Sequence, residues 1–206
     1  MKLHAAAVLT IMVLAARTGH AQRVSPGFNA GLPVNPLVAG ADGLAATTAR
    51  FTLGPTLRVD LSRGFGFDAD LLYKRLSLGF TAIPNRISIH RVELPLMLRY
   101  VLRALPARPF MHAGISFNYV VASGGEEVCT AEGPGFNCIG GERVAQLRHR
   151  HTRGPVLGAG LNFRRAGLRF VPEVRVTRWV DRNFGTRDSP IHSNLTQLEL
   201  LLGVGF

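Results

Sequence analysis

The sequence predicts an all-β chain: an eight-stranded antiparallel up-and-down transmembrane β-barrel with short turns at one end and long loops at the other. Three observations predict it. Apolar residues recur at every second position in eight segments, the period of a strand with one face in lipid and the other in a polar interior. The connections between these segments alternate strictly between short and long. Hydrophobic residues make up 47% of the chain. Yet none of its segments supplies the roughly 20 consecutive apolar residues that a spanning helix needs. A chain that enters a membrane without such helices must close its sheet, because lipid satisfies no open strand edge.

The first residues carry a different signal. Lys2 and His4 precede the apolar run Ala5 to Ala16, and Gly19 and Ala21 offer small residues at −3 and −1 of a cut before Gln22. We therefore expect a cleavable signal peptide over 1–21 and a single barrel domain over 22–206. Cys129 and Cys138, close together in a Gly-rich segment, fit an oxidising compartment and are expected to form one loop disulfide. On the chain-entropy account, closing such a loop stabilises it by about 3 kcal/mol.

The strands follow in order. The first runs around Phe28 to Val34, with Ala30, Leu32 and Val34 on one face. In the second, Phe51, Leu53, Pro55, Leu57, Val59 and Leu61 oppose Thr52, Gly54, Thr56, Arg58 and Asp60. The third sets Phe67, Ala69, Leu71 and Tyr73 against Asp68, Asp70, Leu72 and Lys74. The fourth sets Val92, Leu94, Leu96, Leu98 and Tyr100 against Arg91, Glu93, Pro95, Met97 and Arg99. In the fifth, Met111, Ala113, Ile115, Phe117 and Tyr119 oppose His112, Gly114, Ser116 and Asn118. Leu157, Ala159, Leu161 and Phe163 mark the lipid face of the sixth, and Leu168, Phe170, Pro172, Val174 and Val176 that of the seventh. The last, Thr196 to Phe206, places Leu198, Leu200, Leu202 and Val204 outward and Gln197, Glu199, Leu201 and Gly203 inward. Strands of roughly 9 to 12 residues suffice to cross at a tilt.

Short connections fall at Ser62-Arg63-Gly64, after Arg103 and at Arg165-Ala166-Gly167; long ones span 35–48, 76–88, 122–153 and 180–193. Short periplasmic turns and long external loops are the arrangement of outer-membrane barrels. Aromatic residues support that orientation: Phe67, Tyr100, Phe163, Phe170 and Phe206 fall toward one rim, and Phe51, Tyr73 and Tyr119 toward the other. One pair misfits, since Trp179 has lumen parity and Arg178 lipid parity.

The phrases FTLGPTLRVDL, GFDADLLYKRL, VELPLMLRY, RPFMHAGISF, VLGAGLNFR, LRFVPEVRVTRW and LELLLGVGF cover nearly the whole mature chain. On these the chain resembles the bacterial outer-membrane β-barrel domain family, the porin-like PorT group, akin in architecture to OmpA- and OmpX-type barrels. The resemblance implies insertion by the outer-membrane assembly machinery, with Phe206 as the terminal aromatic that this machinery reads. It implies no particular chemistry.

Inside the expected cylinder, Arg58, Lys74, Arg91, Arg99, Arg169 and Arg175 share the lumen with Asp60, Asp68, Asp70, Glu93, Glu173 and Glu199. An eight-stranded interior is just wide enough for its own side chains, so a space-filling charge network is expected and a wide pore is not. Asp68 and Asp70 are a carboxylate pair of the kind that does acid–base work, but a substrate has little access to them. Barrel enzymes that deacylate lipid A use a His and a Ser two residues apart. Here His192 and Ser193 are adjacent and point to opposite faces of a strand. The cluster Arg148 to Arg153, RHRHTR, is a basic loop segment suited to lipopolysaccharide phosphates or acidic ligands, against the plainer reading of a solvated loop with incidental charge. His149 and His151 make a weak metal pair, and His112 is expected to pack in the lumen. The formal charge is +11, nearly all of it from arginine; export and the lack of an aromatic-basic motif argue against nucleic acid.

The expected role is non-enzymatic and structural, adhesive or surface-binding, without cofactor or metal. The expected partners are outer-membrane lipid, lipopolysaccharide and the assembly machinery, and the expected state is a monomer in the bacterial outer membrane. The alternatives are a lipid A deacylase-like barrel enzyme and a narrow solute channel.

Overall fold

The computed structural model describes residues 23–36, 38–39, 50–79, 86–125, 128–132, 135–139, 147–184 and 192–205. The expected signal peptide, the cleavage position before Gln22 and Phe206 lie outside the described residues. In chain order the strands are β1 (Arg23–Pro33), β2 (Val38–Ala39), β3 (Arg50–Asp60), β4 (Phe65–Asp70), β5 (Leu72–Gly79), β6 (Arg86–Val101) and β7 (Phe110–Gly125). They continue with β8 (Val128–Glu132), β9 (Gly135–Ile139), β10 (His151–Gly160), β11 (Phe163–Arg165), β12 (Leu168–Arg178), β13 (His192–Ser193) and β14 (Thr196–Gly205).

Eight staves form the wall: β1, β3, β4 with β5, β6, β7, β10 with β11, β12 and β14. Each pairs antiparallel with its neighbours. The ring closes through β1, which pairs with β3 on one side (Gly27 opposite Thr56) and with β14 on the other (Gly27 opposite Gly205). The wall is therefore a closed barrel without an unpaired edge. A period-2 side-chain pattern makes register decide everything here, because a slip of one residue exchanges the two faces. The register found puts Leu32, Leu98, Ile115, Leu157, Leu200 and Leu202 on the outer wall, each at least half exposed. Inside lie Thr52, Arg58, Asp68, Lys74, Glu93, Arg99, Glu173, Arg175 and Glu199, all buried.

Two staves are interrupted, each opposite a proline. Between β4 and β5, the Leu71 N–H donates to Pro55 O at 3.0 Å; between β10 and β11, the Leu161 N–H donates to Pro172 O at 3.0 Å. Proline has no N–H to return the second bond of the ladder, so the regular pairing lapses for a residue or two. Gly54 permits the close approach at the first break, since a Cβ there would collide with the Leu71 carbonyl.

Three expected boundaries shift. β6 and β7 run 16 residues each, longer than the 9 to 12 expected, and the register between them shifts at His90/Arg91. β5 and β6 pair out to Gly79 opposite Arg86, so much of the loop expected over 76–88 is hairpin. The sequence hid this because Ile87 and Ile89 alternate out of phase with Val92 to Tyr100, a phase change that corresponds to the register shift at His90/Arg91. The 122–153 segment likewise holds the β8–β9 ladder, and its end, His151–Arg153, belongs to β10 rather than to a loop. β1 starts five residues before Phe28.

The short turns are built by left-handed backbone. Ala166 (φ 50°) and Gly167 (φ 79°) form a two-residue link from β11 to β12, and Arg63 (φ 57°) and Gly64 (φ 90°) lead into β4. Two consecutive positive φ angles match the twist of the flanking strands.

Candidate functional site

The lumen is the concentrated chemistry of the molecule. Its side chains come from alternate positions of every stave and cross the interior to meet partners far away in sequence. Toward the long-loop end, Lys74 Nζ meets Glu199 Oε2 at 2.6 Å and also pairs with Glu93. Thr52 Oγ1 donates to Glu199 Oε1 at 2.9 Å, and Ser116 Oγ donates to Glu93 Oε1 at 2.7 Å. Arg91 is buried near these carboxylates, with no ion pair within 4 Å among the described residues.

A second chain of contacts occupies the middle and the short-turn end. Arg175 bridges Asp70 (Nη2 to Oδ2, 2.7 Å) and Glu173 (Nε to Oε1, 2.7 Å). His112 Nε2 lies 3.2 Å from Glu173 Oε1, and its Nδ1 lies 3.7 Å from Asp68 Oδ2. Arg99 then links Asp68 (3.0 Å) to Asp60 (2.8 Å). Asp60 is the outlier among the twelve lumen charges read from sequence. Its side chain is 31% exposed because β3 ends there, at the mouth. Glycine makes room for this packing: a Cβ on Gly158 would overlap the His112 ring, and one on Gly66 would come within 2.7 Å of Arg99 Nη2. Those lumen-parity glycines are the signal that sequence reading passed over.

Such pairs hold one another in place more than they stabilise. Desolvating two charges costs several kcal/mol per ion, and their attraction only roughly returns it. What the network supplies is a filled interior with fixed geometry.

The long-loop end of the lumen is covered. Trp179, to which the alternation gave lumen parity, is buried on that side, and its Nε1–H donates to Gln197 Oε1 at 3.3 Å. The chain then turns across the mouth. Asp181 exchanges bonds with Thr152, Asn183 accepts from Asn118 Nδ2 at 3.0 Å, and the Asn183 Nδ2–H donates to His149 O at 2.8 Å. Ser193 serves this cap: its Oγ accepts from the Phe184 N–H at 2.8 Å. The adjacent pair His192–Ser193 forms β13, laddered to Val38–Ala39. Arg178, with outward parity, donates to Thr196 Oγ1 at 2.6 Å at the end of the strand.

Outside the lumen, Arg148, His149, Arg150, His151 and Arg153 are all exposed around the long-loop end, with His151 packed on Tyr119 at 4.6 Å between ring centroids. Cys129 and Cys138 face each other directly in the β8–β9 register. Among the described residues no group of three His, Cys, Asp or Glu side chains converges as metal ligands.

Among solved structures the chain is similar in fold to three barrels. Neisserial surface protein A matches with 12% identity and a TM-score of 0.50, over 90% of this chain and 98% of that one. Outer membrane protein OprG from Pseudomonas aeruginosa matches with 12% identity and a TM-score of 0.52, over 88% and 92%. Escherichia coli outer membrane protein W matches with 16% identity and a TM-score of 0.50, over 92% and 99%. No family profile matches the chain, and no curated protein sequence does. These identities carry fold alone, and the fold class is that of the eight-stranded outer-membrane barrel.

Proposed function

We propose that the chain is a bacterial outer-membrane barrel of non-enzymatic function, with a structural, adhesive or surface-binding role carried by its long-loop end. One observation carries this reading most: the outer wall is apolar between two aromatic rims, while the described lumen is packed with charged side chains, nine of the twelve in ion pairs, and covered at its long-loop end. Among the described residues this packing leaves little room for a solute path from the long-loop end, which favours the outer surface as the working part. The PorT-like resemblance, the signal peptide over 1–21, assembly through Phe206 and a monomeric state belong to this reading. The Cys129–Cys138 disulfide does too, since directly opposed strand positions lie about 4.5–5.5 Å apart at Cα, within disulfide reach.

The exposed cations Arg148, Arg150 and Arg153 suit the phosphates of lipopolysaccharide, to which a guanidinium presents a matching fork. The experiment is a pair of assays on the same cells and protein. Mass spectra of lipid A should be identical with and without the protein, and the purified barrel should give no stepwise current in planar bilayers. A changed acylation pattern would establish the deacylase-like enzyme instead. Discrete conductance steps would establish the channel.

A further inference from the structure

The twelve lumen charges cancel in total but not along the axis. Through the middle and the long-loop end, Lys74, Arg91 and Arg175 share the interior with four carboxylates, Asp70, Glu93, Glu173 and Glu199. At the short-turn end three guanidiniums, Arg58, Arg99 and Arg169, face only Asp60 and Asp68. Both carboxylates are taken by Arg99. Among the described residues Arg58 and Arg169 have no ion pair within 4 Å, although each is more than nine-tenths buried. Arg169 stands in the fields of Arg58 and Arg99, with Asp60 as the opposing charge.

Their polar atoms are also unmatched. Nε of Arg58, Nε of Arg169 and both side-chain polar atoms of Asn29 are buried without a hydrogen-bond partner. These groups converge on the last inward positions of β14, which are glycines. A Cβ on Gly203 would come within 2.6 Å of Asn29 Oδ1 and 3.2 Å of Arg58 Nη2; one on Gly205 would come within 3.1 Å of Arg169 Nε and Nη2. Bare backbone thus makes room for the Asn29 amide and the Arg58 head beside Gly203 and for the Arg169 head beside Gly205, the next inward position of β14. Arginine does not deprotonate in a protein, so neutralisation must come from an anion.

We propose that the short-turn end of the lumen binds one phosphate-type oxyanion between Arg58 and Arg169, with the Asn29 amide as a further donor. Two guanidinium forks present paired donors to a tetrahedral oxyanion, an arrangement a single lysine does not provide. The turns around this mouth would steer such an anion inward: Arg63, Arg103, Arg108, Arg164 and Arg165 are all exposed there, and residues 61–64, 102–109 and 161–167 hold no Asp or Glu. The phosphate is either inorganic or the headgroup of a lipid, and the site's chemistry is the same for both. The assignment stands on the lumen alone and does not depend on which side of a membrane this end faces.

The test uses the folded full-length barrel in detergent stripped of phospholipid, titrated calorimetrically at constant ionic strength. One arm uses inorganic phosphate and the other a short-chain phosphatidylglycerol. We expect saturable binding of one equivalent in at least one arm, and the tighter arm identifies the source. Arg58→Met and Arg169→Met should each weaken it at least tenfold, while Arg75→Gln, an exposed arginine on the outer side of β5, leaves it unchanged. Arg169→Lys keeps the charge without the fork and provides a folded comparison if the Met variants fail to assemble; it should weaken binding severalfold. Absence of saturable binding to wild type in both arms overturns the proposal, as does full-strength binding by Arg169→Lys together with either folded Met variant.

Discussion

Arg175 shows how a single lumen residue is held and what its loss should do. Its guanidinium lies between Asp70 and Glu173, both buried, so removing it strands two carboxylates in the interior. Breaking a buried pair by deleting one partner costs about 3–5 kcal/mol, whereas replacing the whole group with apolar or neutral residues is far milder. Arg175→Met should therefore lower the unfolding free energy of the refolded barrel, measured by denaturant titration, by an amount in that range. The triple variant Arg175→Met/Asp70→Asn/Glu173→Gln should recover most of it. A triple variant as weak as the single one would mean that the charges themselves stabilise the fold. At this scale the sequence was informative about side and silent about partner. The inward parity of Arg175 is legible in LRFVPEVRVTRW, but its reach to Asp70, 105 positions earlier, is a property of closure.

Elements show the same division between what periodicity reveals and what it hides. The eight staves and their faces follow from apolar alternation, because one side of each strand meets an apolar medium. Beyond Val92 in β6 and Tyr119 in β7 the hairpin continues past a register shift, with Ile89 and Val120 buried, and a single alternation read along the strand does not extend to it. The breaks at Leu71 and Leu161 were hidden for another reason: they depend on Pro55 and Pro172 of neighbouring strands, a relation only register reveals. The β8–β9 ladder extends the argument to the cysteines. With Cys129 opposite Cys138, alkylation of native protein should leave both thiols unmodified until a reductant is added. Two alkylated thiols without reduction would remove the disulfide. The outer wall has its own probe in Leu200, which is 52% exposed between Leu32 of β1 and Val174 of β12. Leu200→Arg should destabilise the barrel in bilayers by about 2–4 kcal/mol if the position lies near the midplane. Its effect should be much smaller in detergent, where the charge finds water. Equal stability of wild type and variant in bilayers would reverse the assignment of faces.

For the molecule as a whole, the central claim is a closed barrel whose outer wall is made for lipid. Closure was predictable from the even strand count and the alternating connections. Two features were not legible from the pattern. The cap formed by Trp179 to Phe184 depends on contacts to Asn118, Thr152, Gln197 and Ser193, four residues from three different parts of the chain. The axial imbalance of lumen charge depends on knowing which arginines find carboxylates, and alternation does not encode that. The most direct measurement is the electrophoretic mobility, with and without boiling, of the protein extracted from bacterial membranes in mild detergent. A barrel closed by hydrogen bonds between β1 and β14 resists unfolding by dodecyl sulfate at room temperature and yields only on heating. The prediction is two mobilities, a compact unboiled form and a boiled form near the mass of the mature chain, both in the outer-membrane fraction. A single mobility under both conditions, with the protein recovered in the soluble fraction, would contradict the membrane barrel.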